Sequence, residues 1–131
     1  MGEPVLLVID IGNTNVCLGI FDYKAGVGTL AQHWRISTHR EQTSDELTIT
    51  LHAFFQQEGR STREVTDVIL SSVVPPVMPV WERVSTKLFD RPPQIVGPGM
   101  RTGMPVRYEN PHEVGADRIV NAVAAFVEKP D

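Results

Sequence analysis

Three oxygen-bearing side chains follow the first apolar run of the chain within five residues. Asp10, Asn13 and Thr14 supply a carboxylate, a carboxamide and a hydroxyl, and Gly12 lies among them. A tight turn at these residues would also present backbone N–H groups, and such a set of donors suits a phosphate. The carboxylate suits the hydrated magnesium ion that accompanies a phosphate. The pattern therefore predicts a phosphate site, while an ordinary hairpin turn is the alternative explanation of the same residues.

A second cluster of polar residues occupies positions 108–121. Pro111 and Gly115 indicate a loop, and from Asp117 onward the apolar residues recur at helical spacing. Asp117 would lie in the first turn of that helix, where the helix dipole favours a carboxylate. A carboxylate there, followed by Arg118, could serve as a catalytic base beside an anion-binding group. An ion pair that only caps the helix is the alternative.

The first cluster is flanked by two apolar runs that predict a strand, a turn and a second strand. The runs are Val5–Ile9 and Val16–Phe21, and their length is typical of buried strands. Between them, Gly12 and Asn13 are residues that tolerate the positive φ values that a tight hairpin requires. A third strand is predicted from about residue 30 to residue 36, after a glycine-containing separator.

Capping signals and chain breakers predict the remaining elements. Thr43 and Glu46 have the spacing of a capping box, and Gly59 lies where a helix C-terminus belongs. The expected elements are a helix over 44–58 that buries Leu47, Leu51, Phe54 and Phe55, a strand over 67–74, a helix that begins at Pro75-Pro76 and extends to about 88, a strand over 94–96, and a last helix over 116–128. The order β-β-β-α-β-α-β implies an α/β fold with a mixed sheet and helices on its faces.

Composition narrows the function classes. The chain has 131 residues, of which 41% are hydrophobic, enough for one domain with a sizeable core. The net charge of −4 argues against a nucleic-acid or membrane-surface binder. No apolar run is long enough to span a bilayer, and the first residues show no signal-peptide pattern. Cys17 is the only cysteine, so no internal disulfide is expected, and a cytoplasmic location is predicted.

Taken together, the two clusters resemble the type III pantothenate kinases. The resemblance extends from about residue 5 to about residue 127, and the paired clusters are its most specific part. The matching segments are Asp10-x-Gly12-Asn13-Thr14, Thr43-x-Asp45-Glu46, Ser71 to Pro76, Val96 to Gly99, Tyr108-x-Asn110-Pro111 and Gly115-x-Asp117-Arg118-x-x-Asn121.

The resemblance implies a fold and a division into domains. The family has a ribonuclease-H-like (actin-like ATPase) fold made of two duplicated domains. Residues 1–107 would form the first domain, and residues 108–131 would begin the second. Members of the family are about twice as long as this chain, so the chain is expected to be the N-terminal half of such an enzyme and inactive alone.

The resemblance also implies a reaction and the residues that perform it. The family transfers the γ-phosphoryl group of ATP to pantothenate and forms 4′-phosphopantothenate, the first step of coenzyme A biosynthesis. The implied roles are magnesium binding through water for Asp10, binding of the ATP phosphates for Gly12, Asn13 and Thr14, general base for Asp117, anion binding for Arg118, and shaping of the pantothenate pocket for Tyr108 and Gly115.

Cofactors and partners follow from the same resemblance. Magnesium and a monovalent cation, potassium or ammonium, are expected, with the ligands of the monovalent cation mostly outside this half. A homodimer is expected for the full-length protein. The alternatives are another phosphotransferase of the same fold, such as a sugar kinase, and a non-catalytic binding or regulatory domain.

Overall fold

The computed structural model describes residues 4–24 and 27–96. It confirms the predicted order of strands and helices over this part of the chain. The elements are β1 (Val5–Ile11), β2 (Asn15–Lys24), β3 (Val27–Ser37), α1 (Ser44–Gln57), β4 (Asp67–Ser72), α2 (Met78–Phe89) and β5 (Gln94–Val96). The helix expected over 116–128 and the domain boundary expected near residue 107 lie outside the described residues.

The five strands form one mixed sheet in the order β3-β2-β1-β4-β5. The pairs β1–β2 and β2–β3 are antiparallel, as expected of a meander. The pairs β1–β4 and β4–β5 are parallel, and the connections that lead into β4 and β5 contain α1 and α2. Strand β1 is therefore the central strand. The turn that follows it lies at the carboxyl end of β1, in the middle of the row of strands.

Strand β1 is buried on both of its faces. Leu7 and Ile9 belong to the main hydrophobic cluster and are fully buried, and Val8, which points the opposite way, is also fully buried. The helices contribute their apolar stripes to the same cluster, including Leu47, Leu51 and Phe55 of α1 and Trp81, Val84 and Leu88 of α2. Of the core residues expected in α1, Phe54 is only partly buried. Its ring stacks on Trp34 of β3 at a centroid distance of 5.1 Å.

The start and end of α1 are formed as the sequence predicts. The Thr43 hydroxyl accepts a hydrogen bond from the Glu46 backbone N–H at 3.1 Å, and the Glu46 carboxylate accepts one from the Thr43 N–H at 2.9 Å. Gly59 has a φ of 69° just after the helix, a conformation that glycine adopts without steric cost. These local signals fix the length of the first crossover.

The hairpin between β2 and β3 is longer than expected. The third strand begins at Val27 rather than near residue 30, and Gly28 pairs with Tyr23 inside the ladder. A Cβ atom on Gly28 would lie 2.8 Å from the Cζ atom of Tyr23, so the ring occupies the space that a side chain would need. The glycine is therefore a strand residue covered by an aromatic ring. At the other end of the sheet, β4 stops at Ser72, and a 3₁₀ turn over Pro75–Val77 precedes α2.

A polar network ties the segment after α1 to the meander. The guanidinium of Arg60 donates to both carboxylate oxygens of Asp22, at 2.7 and 3.1 Å, to Glu64 at 3.1 Å and to Gln32 at 3.3 Å. The hydrogen bonds with Asp22 raise the pKa of Arg60, so the group is charged throughout the useful pH range. The network joins β2 and β3 to a segment far away in sequence.

Replacing Arg60 with methionine is expected to lower the free energy of unfolding by about 2 kcal/mol, since bonds to a charged partner contribute more than neutral ones. Urea denaturation measures this loss. Arg63 is the matched control, because it is exposed and its side chain forms no ion pair among the described residues. Equal losses for Arg60→Met and Arg63→Met would show that the network contributes nothing specific.

Candidate phosphate-binding turn

Asp10 lies one residue before the end of the central strand. Its neighbours Ile9 and Ile11 point into the main core, so the alternation of a strand places Asp10 on the opposite face, where it is half-buried. The register pairs Asp10 with Cys17 on one side and Ser71 on the other. Residues paired in this way lie on the same face of a sheet. The carboxylate is therefore flanked by a buried thiol and a buried hydroxyl.

The same row continues to the edge strand β3. Cys17 pairs with Arg35, which is exposed and lies two strands, or about 10 Å, from Asp10 across the sheet. Within the described residues, no group of three or more His, Cys, Asp or Glu side chains could hold a metal ion. A magnesium ion at Asp10 would take phosphate oxygens and water among its other ligands, a donor set that this ion commonly takes.

The turn between β1 and β2 is closed by one backbone bond, in which the Gly12 N–H donates to the Asn15 carbonyl at 2.9 Å. Gly12 and Asn13 do not adopt the positive φ that these residue types tolerate. Among the described residues, only Gly59 and Asp90 have positive φ. The turn is an open bend rather than a tight primed turn, because its carbonyl groups bond to other segments instead of across the hairpin.

Three carbonyl groups at this turn accept hydrogen bonds from other segments of the chain. The carbonyl of Ile11 accepts from the Val73 N–H at 3.1 Å, just after β4. The carbonyl of Gly12 accepts from the Thr38 hydroxyl at 2.7 Å, and that of Thr14 accepts from the Thr38 N–H at 2.8 Å. Two other segments of the chain, the exits of β3 and β4, therefore fix the bend.

The donor side of the turn faces solvent. Asn13 and Thr14 are exposed, and no group in the described part of the chain accepts a hydrogen bond from their backbone N–H or side chains. Successive backbone N–H groups with a carboxamide and a hydroxyl beside them form the type of concavity that binds an anion. The arrangement is chemically suited to phosphate oxygens.

An open cavity of about 650 Å³ lies beside Thr38. Thr38, which holds the turn, also lines this cavity, so the two share a wall. The other lining residues are His39, Arg40, Glu41, Gln42 and Glu46. Both signs of charge are present, so the cavity is not a simple anion pocket.

The structure places four of the predicted site residues together and leaves four undescribed. Asp10, Gly12, Asn13 and Thr14 form one contiguous feature at the end of β1. The other four, Tyr108, Gly115, Asp117 and Arg118, lie outside the described residues, and their roles remain predictions. Sequence reasoning missed Thr38, although its position directly after β3 placed it opposite the turn in the ladder.

The serine pair at the end of β4 divides into two roles. Ser71 is buried and pairs with Asp10 in the β1–β4 register. The Ser72 hydroxyl accepts from the Val74 N–H at 2.9 Å. Ser72 therefore stabilises the backbone just after β4, where the N–H of Val73 donates to the Ile11 carbonyl.

Comparison with known sequences shows which proteins share this pattern. A sequence model described as "Type III pantothenate kinase" matches residues 6–131. The chain belongs to the type III pantothenate kinase family. A type III pantothenate kinase of Syntrophotalea carbinolica is 51% identical over 122 residues, and one of Geotalea daltonii is 49% identical over 122 residues. Each alignment covers 93% of this chain and 46% of the relative.

The chain thus spans about half the length of the type III pantothenate kinases that it matches. A solved structure supports the fold independently: RuvC of Thermus thermophilus superposes with a TM-score of 0.59, over 94% of this chain and 93% of RuvC, at 13% identity. At that identity the likeness concerns the fold alone, and it confirms the ribonuclease-H-like class. No helix of the described ranges is long and apolar enough to cross a membrane.

Proposed function

We propose that the protein containing this chain phosphorylates pantothenate with ATP and yields 4′-phosphopantothenate. The observation that carries the proposal is the turn at Gly12, Asn13 and Thr14, in a chain that belongs to the type III pantothenate kinase family. The carbonyls of Gly12 and Thr14 are bonded to Thr38, and Asn13 and Thr14 present their donors to solvent, an arrangement that suits a phosphate. Phosphoryl transfer depends mainly on positioning and charge stabilisation, and a rigid turn contributes to both.

Asp10 would hold the hydrated magnesium ion, with water between the carboxylate and the metal. The ion supplies charge neutralisation for the β- and γ-phosphates when bound. Asp10 lies two residues before Gly12 on the central strand, so the carboxylate and the turn are fixed to one rigid element. Ser71 borders Asp10 on β4.

The acceptor side of the reaction would be supplied by residues 108–118. Asp117 would take the proton from the pantothenate hydroxyl, and Arg118 would bind an anion, either the transferring phosphoryl group or the pantothenate carboxylate. Tyr108 and Gly115 would shape the pocket. The family resemblance of these positions supports the assignment, together with the suitability of a carboxylate as a general base.

The remaining parts of the proposal concern the full-length protein. It would require a monovalent cation, potassium or ammonium, would form a homodimer, and would act in the cytoplasm. The chain covers 46% of its relatives, so the second half would supply the other nucleotide contacts. The isolated chain would be inactive.

A coupled assay of ADP release tests the reaction on the longest natural polypeptide that contains this chain. We expect ADP release that depends on pantothenate, with the 131-residue chain giving none. A sugar panel in the same assay is the control for another phosphotransferase. ADP release with a sugar and none with pantothenate would contradict the proposal, as would a polypeptide that releases no ADP with any acceptor.

A further inference from the structure

Thr38 makes two hydrogen bonds to the turn that carries the proposed phosphate site. Its hydroxyl donates to the Gly12 carbonyl at 2.7 Å, and its N–H donates to the Thr14 carbonyl at 2.8 Å. The last pair of the β2–β3 ladder is Asn15–Ser37, so Thr38 lies opposite Thr14 by continuation of that register. One residue thus holds both sides of Asn13.

The geometry of the peptide bond transmits this hold to the donor side. A carbonyl and the N–H of the next residue belong to one planar trans unit and point in opposite directions. No cis peptide bond occurs among the described residues. The hydrogen bond from the Thr38 hydroxyl fixes the Gly12 carbonyl in the direction of Thr38. Because the peptide unit is planar and trans, the Asn13 N–H then points away from Thr38. The Thr38 hydroxyl therefore sets the direction of an N–H group that faces solvent in the turn.

We propose that Thr38 is a positioning residue for nucleotide binding, acting through the Gly12 carbonyl to orient the Asn13 N–H toward a phosphate of ATP. The inference rests on the proposed function and adds a residue to it that lies outside the turn motif. Because Thr38 acts through the Asn13 N–H, which would bind ATP, its effect should appear in the KM for ATP and not in the KM for pantothenate. It also lines the adjoining cavity.

Thr66 provides a matched control, because it bonds to the start of β1, the strand whose end leads into the turn. The Thr66 hydroxyl donates to the Val5 carbonyl at 2.9 Å and accepts from the Val5 N–H at 3.0 Å. Thr66 therefore holds the start of β1 much as Thr38 holds its end, and both sites are part-buried. Gly12 lies seven residue positions after Val5 along the extended strand, about 23 Å away, so Thr66 affects stability without contacting the turn.

The test compares Thr38→Val, Thr38→Ser and Thr66→Val in the longest natural polypeptide that contains this chain. We expect Thr38→Val to raise the KM for magnesium-ATP about fivefold, the loss typical of one hydrogen bond, with the KM for pantothenate unchanged. Thr38→Ser keeps the hydroxyl and should remain within about twofold of the wild type. Thr66→Val should lower the urea midpoint and leave the KM for magnesium-ATP unchanged.

Two results would overturn the inference: a Thr38→Val protein with the wild-type KM for magnesium-ATP, or a Thr66→Val protein in which that KM rises equally. If Thr38→Val does not fold, Thr38→Ala in the same measurements takes its place. A wild type without pantothenate-dependent ADP release contradicts the proposed reaction instead. Calorimetric titration with magnesium-ATP then decides the role of Thr38 by the same fivefold criterion, and a wild type that binds no ATP contradicts both.

Discussion

Replacing Asp10 with asparagine in the longest natural polypeptide that contains this chain should raise the magnesium concentration for half-maximal turnover at least about tenfold. The change removes the charge of the carboxylate beside the phosphate turn and leaves the shape of the side chain unchanged. A hydrated magnesium ion is bound through one or two carboxylates in sites of this kind, so one lost charge has a large effect. The measurement is ADP release as a function of magnesium at saturating ATP and pantothenate.

Asp90→Asn is the control for this prediction. Asp90 is exposed at the end of α2 and has a φ of 61°, a conformation that asparagine also adopts readily. The control should therefore keep both the stability and the magnesium dependence of the wild type. An unchanged magnesium dependence in Asp10→Asn would remove the metal role of Asp10 and leave it a structural residue between Cys17 and Ser71.

Replacing Asp117 with asparagine should lower kcat by a factor of about 10²–10⁴, the usual contribution of a positioned general base. Asparagine cannot accept the proton of the pantothenate hydroxyl, but it preserves the size of the side chain. Binding of both substrates should therefore stay within about threefold of the wild type. Steady-state turnover and calorimetric titration with pantothenate measure the two quantities separately.

Glu128→Gln serves as the control for Asp117→Asn. The change removes one carboxylate from the same predicted helix, and Glu128 has no proposed role in the reaction. It should retain wild-type turnover. If Asp117→Asn kept full turnover while pantothenate bound more weakly, Asp117 would be a substrate-binding residue and the base would have to be sought elsewhere.

The order of elements and the first helix could be predicted because their signals are local. The capping box at Thr43 and Glu46 depends on residues three apart, and the apolar periodicity of α2 depends on one helix. The turn motif could likewise be located from a few adjacent residues. Its backbone conformation could not, because the carbonyls of Gly12 and Thr14 bond to Thr38, which is distant in sequence.

The errors in the meander have a similar origin. Gly28 resembles a chain breaker in sequence, yet the ring of Tyr23 covers it from the neighbouring strand. The position of Thr38 opposite the turn depends on the whole β2–β3 register, which shifts at an irregularity between Ile20 and Phe21. A single-residue difference there would place another residue opposite Thr14. Contacts of this kind are properties of the folded sheet.

The sheet order also has a consequence for how the protein is made. Asp10, the turn and Thr38 all lie in the β1–β2–β3 meander and the residue that follows it, so both hydrogen bonds from Thr38 to the turn join residues among the first 38. Such neighbouring segments pair quickly, since little chain entropy is lost in closing short loops. The parallel β1–β4 pair can form only after β4 has emerged from the ribosome. The third bond that holds the bend comes from Val73, after β4. The nascent chain can thus bond Thr38 to the turn before Val73 is available to complete the bend.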